Sequence, residues 1–358
     1  MRDPLELIKP QVRGLRRYSL RVEAAPVKLN QNENPWDAPL EIKQETFRRL
    51  DDRRWSRYPE FVPSSLIARL ANFSGWPAEG TLVGNGSNEL IQALLMSTVS
   101  DGKRVLINEP TFTLYRQITT VLGGEIISVP LTSALTYDMK AMTAATESLN
   151  PDVTIICSPN NPTGCVISKP DLSSFLGAAK GLVVVDEAYF EFAGETAVPL
   201  LKQHRNLVVL RTFSKAMAMA GLRVGYLLTT PDLALEIAKA LLPYNLNAFS
   251  QTAAEVAIEM YETLLKPRVS EIVAERDRLF DQLSGIQGLE PVRSRANFMV
   301  VRSEVDPRRV FDQLLQRGIL IRDVTSYPML RDYFRVGVGT FEENNMLIES
   351  LREIFATE

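Results

Sequence analysis

Short apolar runs rich in β-branched residues alternate with longer stretches of helical period through the middle of the chain. The runs lie at Arg104 to Glu109, Glu125 to Pro130, Val153 to Ser158, Leu182 to Asp186, Leu207 to Thr212 and Arg223 to Thr229. That alternation predicts a mostly parallel sheet wrapped by helices. Leu90, Ile91, Leu94 and Leu95 recur at helical spacing behind Gly84-Asn85-Gly86-Ser87. A glycine-rich turn therefore feeds a helix N-terminus, which is a seat for an anion. Beyond about Leu246 the pattern becomes a long helical stretch, Ser250 to Leu283, with a break expected at Pro267, whose missing amide interrupts a helix. Short runs at Ala296 to Val301, Ile319 to Arg322 and Phe334 to Val338 predict strands of a smaller α+β domain. The opening residues, with Pro4, Pro10 and Pro26 and little periodicity, read as an arm that docks elsewhere. The expected division is an arm over 1–35, a large domain over 36–245 and a small domain over 246–358.

Composition narrows the chemistry. Of 358 residues, 45% are hydrophobic and 23% charged, which fits a globular protein and not a disordered or fibrous one. Lys plus Arg number 40 against 43 acids, a net charge of −3 that gives no pull toward nucleic acid or an acidic membrane. Cys157 and Cys165 are the only two cysteines and His204 the only histidine. A disulfide framework, a zinc site and a histidine-dependent hydrolase are all disfavoured. No apolar stretch is long enough for a membrane span, and Met1 to Pro10 lacks the order of a signal peptide, so the expected location is the cytoplasm.

Three local runs carry candidate chemistry. In Arg211-Thr212-Phe213-Ser214-Lys215, a lysine ends an apolar strand, with Gly221 and Arg223 close behind. A desolvated lysine loses its proton more readily, and its neutral amine attacks carbonyls; alone, it reads as a strand-end residue facing solvent, and it is Ser214 and Arg223, as anion donors around the same point, that favour the chemical reading. In Leu182-Val183-Val184-Val185-Asp186, an acid ends a strand and Tyr189 follows three residues later. At the carboxyl edge of a parallel sheet it faces the usual ligand crevice and suits a protonated heterocyclic nitrogen, although it equally suits a helix cap. Ser158-Pro159-Asn160-Asn161-Pro162-Thr163-Gly164 fixes a turn that either aims an Asn amide at a ligand or is merely structural.

Together these runs resemble the pyridoxal-phosphate enzymes of the aspartate-aminotransferase fold, fold type I, and most closely the histidinol-phosphate aminotransferase branch. The resemblance extends through Asn32-Glu33-Asn34-Pro35, Arg57-Tyr58-Pro59-Glu60, Gly84 to Leu90, Pro110-Thr111-Phe112 and Arg335-Val336-Gly337. It implies an α/β fold with a seven-stranded sheet in the large domain, and pyridoxal 5'-phosphate as cofactor. Lys215 would hold the cofactor aldehyde as a Schiff base and then shuttle the proton, and Asp186 would pair with the ring nitrogen. Tyr189 and Asn161 would bond the ring 3-oxygen. Phe112 would stack on the ring, where relatives commonly carry tyrosine or tryptophan. Backbone amides at Ser87 and Asn88, with Thr212, Ser214 and Arg223, would cup the phosphate. Tyr58 would reach that phosphate from a partner subunit, which implies a homodimer with shared sites.

The substrate side of the resemblance points to Arg335 and Arg322, whose guanidinium forks suit a carboxylate or a phosphate, together with Asn32 and Tyr18. Gln11 stands where many relatives have a substrate-touching tyrosine, and Tyr18 is a replacement hydroxyl. The implied reaction is transamination between histidinol phosphate and 2-oxoglutarate, giving imidazole acetol phosphate and glutamate. An aromatic or broad-range amino-acid aminotransferase and a threonine-phosphate decarboxylase share the scaffold. So does a cofactor-binding transcription regulator, although no winged helix-turn-helix pattern precedes this one.

Overall fold

Residues 3–15 and 23–356 are described by the structure, a computed structural model. Strands run over Val27–Lys28 (β1), Thr81–Gly84 (β2), Arg104–Glu109 (β3), Glu125–Pro130 (β4), Val153–Cys157 (β5), Leu182–Asp186 (β6), Leu207–Thr212 (β7) and Gly225–Leu228 (β8). Leu289–Pro291 (β9), Phe298–Ser303 (β10), Ile319–Leu320 (β11), Arg322–Asp323 (β12) and Tyr333–Gly337 (β13) follow.

The large sheet has seven strands in the order β2-β8-β7-β6-β5-β3-β4. β8 alone runs antiparallel to its neighbours β2 and β7, so the sheet is mostly parallel, as the alternating pattern predicts. Its central strands are apolar at nearly every position because helices cover both faces. Successive residues accordingly enter different cores: Val183 and Val185 pack on one side of the sheet and Val184 on the other. Leu207 and Val209 divide from Val208 and Leu210 in the same way.

The smaller unit is a four-stranded antiparallel sheet, β12-β13-β10-β9. It shares a core with the helices Lys266–Ser284, Pro307–Gln316 and Phe341–Ala356. β1 pairs parallel with β11, and Val27 and Leu29 are buried in this second core, so the segment after the arm's first residues belongs physically to the small unit.

Several boundaries differ from the sequence expectation. The long helical stretch breaks at Met260, where the helix Ala248–Glu259 passes through a wider π turn, Tyr261–Leu265. Pro267 sits instead in the first turn of Lys266–Ser284, where its missing amide interrupts no bond. Ala253, Ala254, Val256 and Ala257 pack in the first core with Ile42, Leu66 and Leu70, so the helix after residue 246 lies on the large sheet's side. The run expected from Arg223 starts as a strand only at Gly225, because Arg223 is held at φ 55°. The run Ile319 to Arg322 serves two sheets, with Ile319 and Leu320 on β1 and Arg322 on β13.

Candidate active site

The carboxyl ends of β5, β6 and β7 lie side by side, with Cys157 opposite Asp186 and Asp186 opposite Leu210. A cavity of about 280 Å³ opens above them, where ligands meet open parallel sheets, and the small unit closes its far side with Arg322 and Arg335. Asp186 is 4% exposed at its floor. Its Oδ2 accepts from the Tyr115 hydroxyl at 2.7 Å and its Oδ1 from the Ala188 amide at 3.1 Å. The carboxylate therefore caps its own turn and also faces the cavity. Burial pushes its pKa up to about 6, against the pull of these two donors. Tyr189, also buried, receives Asn32 Nδ2 on its hydroxyl at 3.2 Å and rests edge-on against Phe298. Phe112 lines the same space, its ring edge-to-face with Tyr115 at 5.5 Å.

The opposite end of the cavity is built from backbone. Helix Ser87–Thr98 starts here, with no side chain capping its first amides and its positive end facing the cavity wall formed by Ser87 and Asn88. Glycine is required on both sides of this seat. A Cβ on Gly86, at φ 81°, would run into the Arg223 guanidinium, and one on Gly225 into the backbone of Gly86 and Ser87. Arg223 Nη1 donates to Ser214 Oγ and to the Ala220 carbonyl, each at 3.1 Å. Thr212 Oγ1 meets Ser214 Oγ at 3.0 Å. Hydroxyls, a guanidinium and free helix amides thus converge as a phosphate-sized anion seat.

Between the two ends stands Lys215, partly accessible from the cavity. Its Nζ donates to the Gln31 carbonyl at 2.8 Å and lies 5.8 Å from the Tyr189 ring centre. Burial lowers its pKa to about 7; Arg335 and Arg223 add to the fall and Glu33 opposes it. Much of the amine is neutral at pH 7 and able to attack a carbonyl. Glu33 itself is held by Lys28 at 2.6 Å.

Arg335 reaches in from β13. Its Nη1 donates to Asn161 Oδ1 at 2.6 Å and its Nη2 to the Asn30 carbonyl at 2.7 Å. Arg322 is directly opposite Arg335 in the β12–β13 register, so both side chains share one face of that sheet, and both line the cavity.

Of the residues expected from sequence, Ser87, Asn88, Phe112, Asn161, Asp186, Tyr189, Thr212, Ser214, Lys215, Arg223, Arg322, Arg335 and Asn32 all line this one cavity. Tyr58 does not: it is 81% exposed and stacked on Tyr244 at 4.6 Å. Gln11 lies in the short helix Pro10–Arg13, away from the cavity lining. Tyr18 lies outside the described residues. Sequence reasoning missed Tyr115, Gln31 and Tyr327 as cavity residues. It also missed the buried pair of Glu187 and Arg211 at 2.9 Å behind the floor. The signal for Tyr115 was there in part, since it falls one helical turn after Phe112.

These residues fit pyridoxal 5'-phosphate. The anion seat matches a phosphate, and Asp186 accepts only from a phenol and an amide, which leaves its charge for a ring-nitrogen proton. The buried oxygens Asn30 Oδ1 and Asn32 Oδ1 have no hydrogen-bond partner among the described residues. Among those residues, no cluster of metal-ligating side chains competes with this reading. A mostly parallel sheet with a strand-end lysine, a buried acid and a helix-borne anion seat defines the fold type I class of pyridoxal-phosphate enzymes.

Comparison with known proteins narrows the class. The model of the family described as aminotransferase class I and II matches residues 24–351, and the chain belongs to that family. It is 37% identical over 353 residues to the histidinol-phosphate aminotransferase of Chlorobaculum parvum, covering 98% of this chain and 99% of that protein. The protein of the same name from Chlorobium phaeovibrioides is 36% identical over 355 residues, covering 99% and 98%. Among solved structures, the fold matches Sinorhizobium meliloti histidinol-phosphate aminotransferase in complex with pyridoxal-5'-phosphate. That match has a TM-score of 0.87 at 24% identity and covers 97% of each chain. The L-threonine-O-3-phosphate decarboxylase of Porphyromonas gingivalis shares the fold with a TM-score of 0.79 at 22% identity, over 93% of this chain and 100% of that one.

Proposed function

We propose that this protein is a pyridoxal-phosphate-dependent aminotransferase that moves the amino group of histidinol phosphate to 2-oxoglutarate, in histidine biosynthesis. The observation that carries the choice of substrate is the pairing of Arg322 and Arg335 on one face of the small sheet, lining the same cavity as Lys215. Two guanidinium forks suit a phosphate ester on the donor and a carboxylate on the acceptor, which bind in turn. The full-length relatives of the same name support it.

When bound, the cofactor supplies an electron sink that acidifies the carbon bearing the amino group. The chain's own residues do the rest. Lys215, neutral near pH 7, takes that carbon's proton and returns it. Asp186 holds the ring-nitrogen end, Tyr189 and Asn161 the ring-oxygen edge, and Phe112 the ring face. Ser87, Asn88, Thr212, Ser214 and Arg223 hold the phosphate.

Trp55, Tyr58 and Phe61 form an exposed aromatic set, with Tyr58 stacked on Tyr244, which supports a second copy of the chain covering this face. In that homodimer Tyr58 completes the partner's phosphate seat. The arm and the small unit close over the substrate and exclude water. No helix among the described residues is long and apolar enough to cross a membrane, and the proposed place of work is the cytoplasm.

The test is the visible spectrum of cofactor-loaded protein mixed with histidinol phosphate, phenylalanine or glutamate without an acceptor. Bleaching by histidinol phosphate and by glutamate supports the proposal. Bleaching by phenylalanine and not by the phosphate ester moves the protein to the aromatic aminotransferases, and release of carbon dioxide without a keto product moves it to the decarboxylases.

A further inference from the structure

Asp186 has two hydrogen-bond donors of very different kinds. The Ala188 amide is its own turn. The other, the Tyr115 hydroxyl, comes from 71 residues away, on the first turn of helix Leu114–Leu122, at 2.7 Å and with Tyr115 fully buried. A buried phenol held this firmly is a fixed donor and not an adjustable one. Its ring packs in the core with Leu90, Leu94 and Val184, and its edge meets Phe112 at an interplanar angle of 87°. One side chain thus touches both the acid at the floor of the cavity and the aromatic wall beside it.

The other titratable groups around Asp186 do not compete for it. Cys157 lies beside it on β5, its thiol directed at the Pro159 carbonyl and in hydrogen-bonding contact with the Tyr115 hydroxyl, whose proton goes to Asp186. Tyr137 donates to the Cys157 carbonyl, and the Tyr189 hydroxyl accepts from Asn32. Glu187 turns away to Arg211 and Thr196. Both of Tyr115 and Tyr189 are strongly disfavoured from ionising by burial, so Tyr115 remains a donor at any working pH.

We infer that Tyr115 is a positioning residue: its hydroxyl orients Asp186 toward the cofactor's ring nitrogen and, by hydrogen-bonding the carboxylate, keeps the proton between them on the nitrogen. The inference rests on the assignment of Asp186 as the ring-nitrogen partner. A carboxylate that receives a strong hydrogen bond is the weaker base, so it leaves the proton with the ring. Without that bond the carboxylate takes the proton and the ring becomes neutral, a poorer electron sink.

The test uses Tyr115→Phe, which keeps the packing against Phe112, reconstituted with pyridoxal 5'-phosphate labelled with ¹⁵N in its ring. The ring-nitrogen NMR signal is expected to move from the protonated toward the neutral position. The cofactor's dissociation constant is expected to rise on the order of tenfold. A signal that stays where it is in wild type overturns the inference, whatever happens to affinity or activity. Wild-type protein that binds no labelled cofactor would overturn the reading of the site itself, which is a distinguishable result. If Tyr115→Phe does not fold, 4-fluorophenylalanine at 115, which fills the hydroxyl's space without donating a hydrogen bond, is the second probe. The signal must then move from the protonated toward the neutral position, and no movement again overturns the inference.

Discussion

Lys215→Met should make the cofactor-free protein more stable, and by an amount that depends on pH. In the folded chain, burial and the nearby Arg335 and Arg223 lower the Lys215 pKa from the ordinary 10.5 to about 7. The unfolded lysine keeps its proton up to about 10.5, so between these values the unfolded state binds more protons than the folded one. Stability therefore rises with pH through this window, and the lysine's cost is largest at and below pH 7. At about 1.4 kcal/mol per unit, that cost is on the order of 4 kcal/mol. Methionine removes the charge and keeps most of the volume, but it also loses the 2.8 Å bond to the Gln31 carbonyl, which offsets about 1 kcal/mol. The expected net gain is roughly 3 kcal/mol at pH 7, shrinking to nothing at about pH 10 and reversing slightly above it, where the lost hydrogen bond outweighs the ionisation cost. Urea denaturation of both cofactor-free proteins, repeated across this pH range, measures it. A difference that does not change with pH, or a wild type that is the more stable at pH 7, would refute the argument that the site holds its amine neutral at the expense of stability.

Arg335→Leu should lower kcat/KM for histidinol phosphate by roughly ten- to a hundredfold, because it removes a substrate guanidinium and leaves Asn161 Oδ1 and the Asn30 carbonyl without their donor. Steady-state kinetics check it, and unchanged values would place the anion elsewhere. Arg211→Met should destabilise the protein by about 3–5 kcal/mol, since Glu187, 2% exposed, would keep its charge with only Thr196 and the Ala197 amide as donors. The double variant with Glu187→Leu should recover most of that loss in the same urea titration; a double variant as unstable as the summed singles would show that charge burial is not the cause.

The sequence by itself determined the strands of the large sheet and the chemistry at their ends. β3, β6 and β7 fall where the apolar runs place them, because a strand covered on both faces needs apolar residues at nearly every position, and the edge strand β4 falls on its β-branched run. Asp186, Asn161 and Lys215 were legible for a related reason: each lies at the carboxyl end of such a strand or within four residues of it, and that edge of a parallel sheet is where ligands bind. The tertiary structure decided the partners. Tyr115 meets Asp186 across 71 residues, and Arg335 meets Asn161 across 174 and Asn30 across 305. No periodicity encodes such pairs, because they depend on how two separately cored units pack and on which rotamers that packing allows. The same holds for Ala248–Glu259, whose small apolar residues suit either core and which settles against Ile42, Leu66 and Leu70. It holds also for the break at Met260, where the helix leaves one core for the other; local sequence placed that break at Pro267, a residue well suited to begin the next helix.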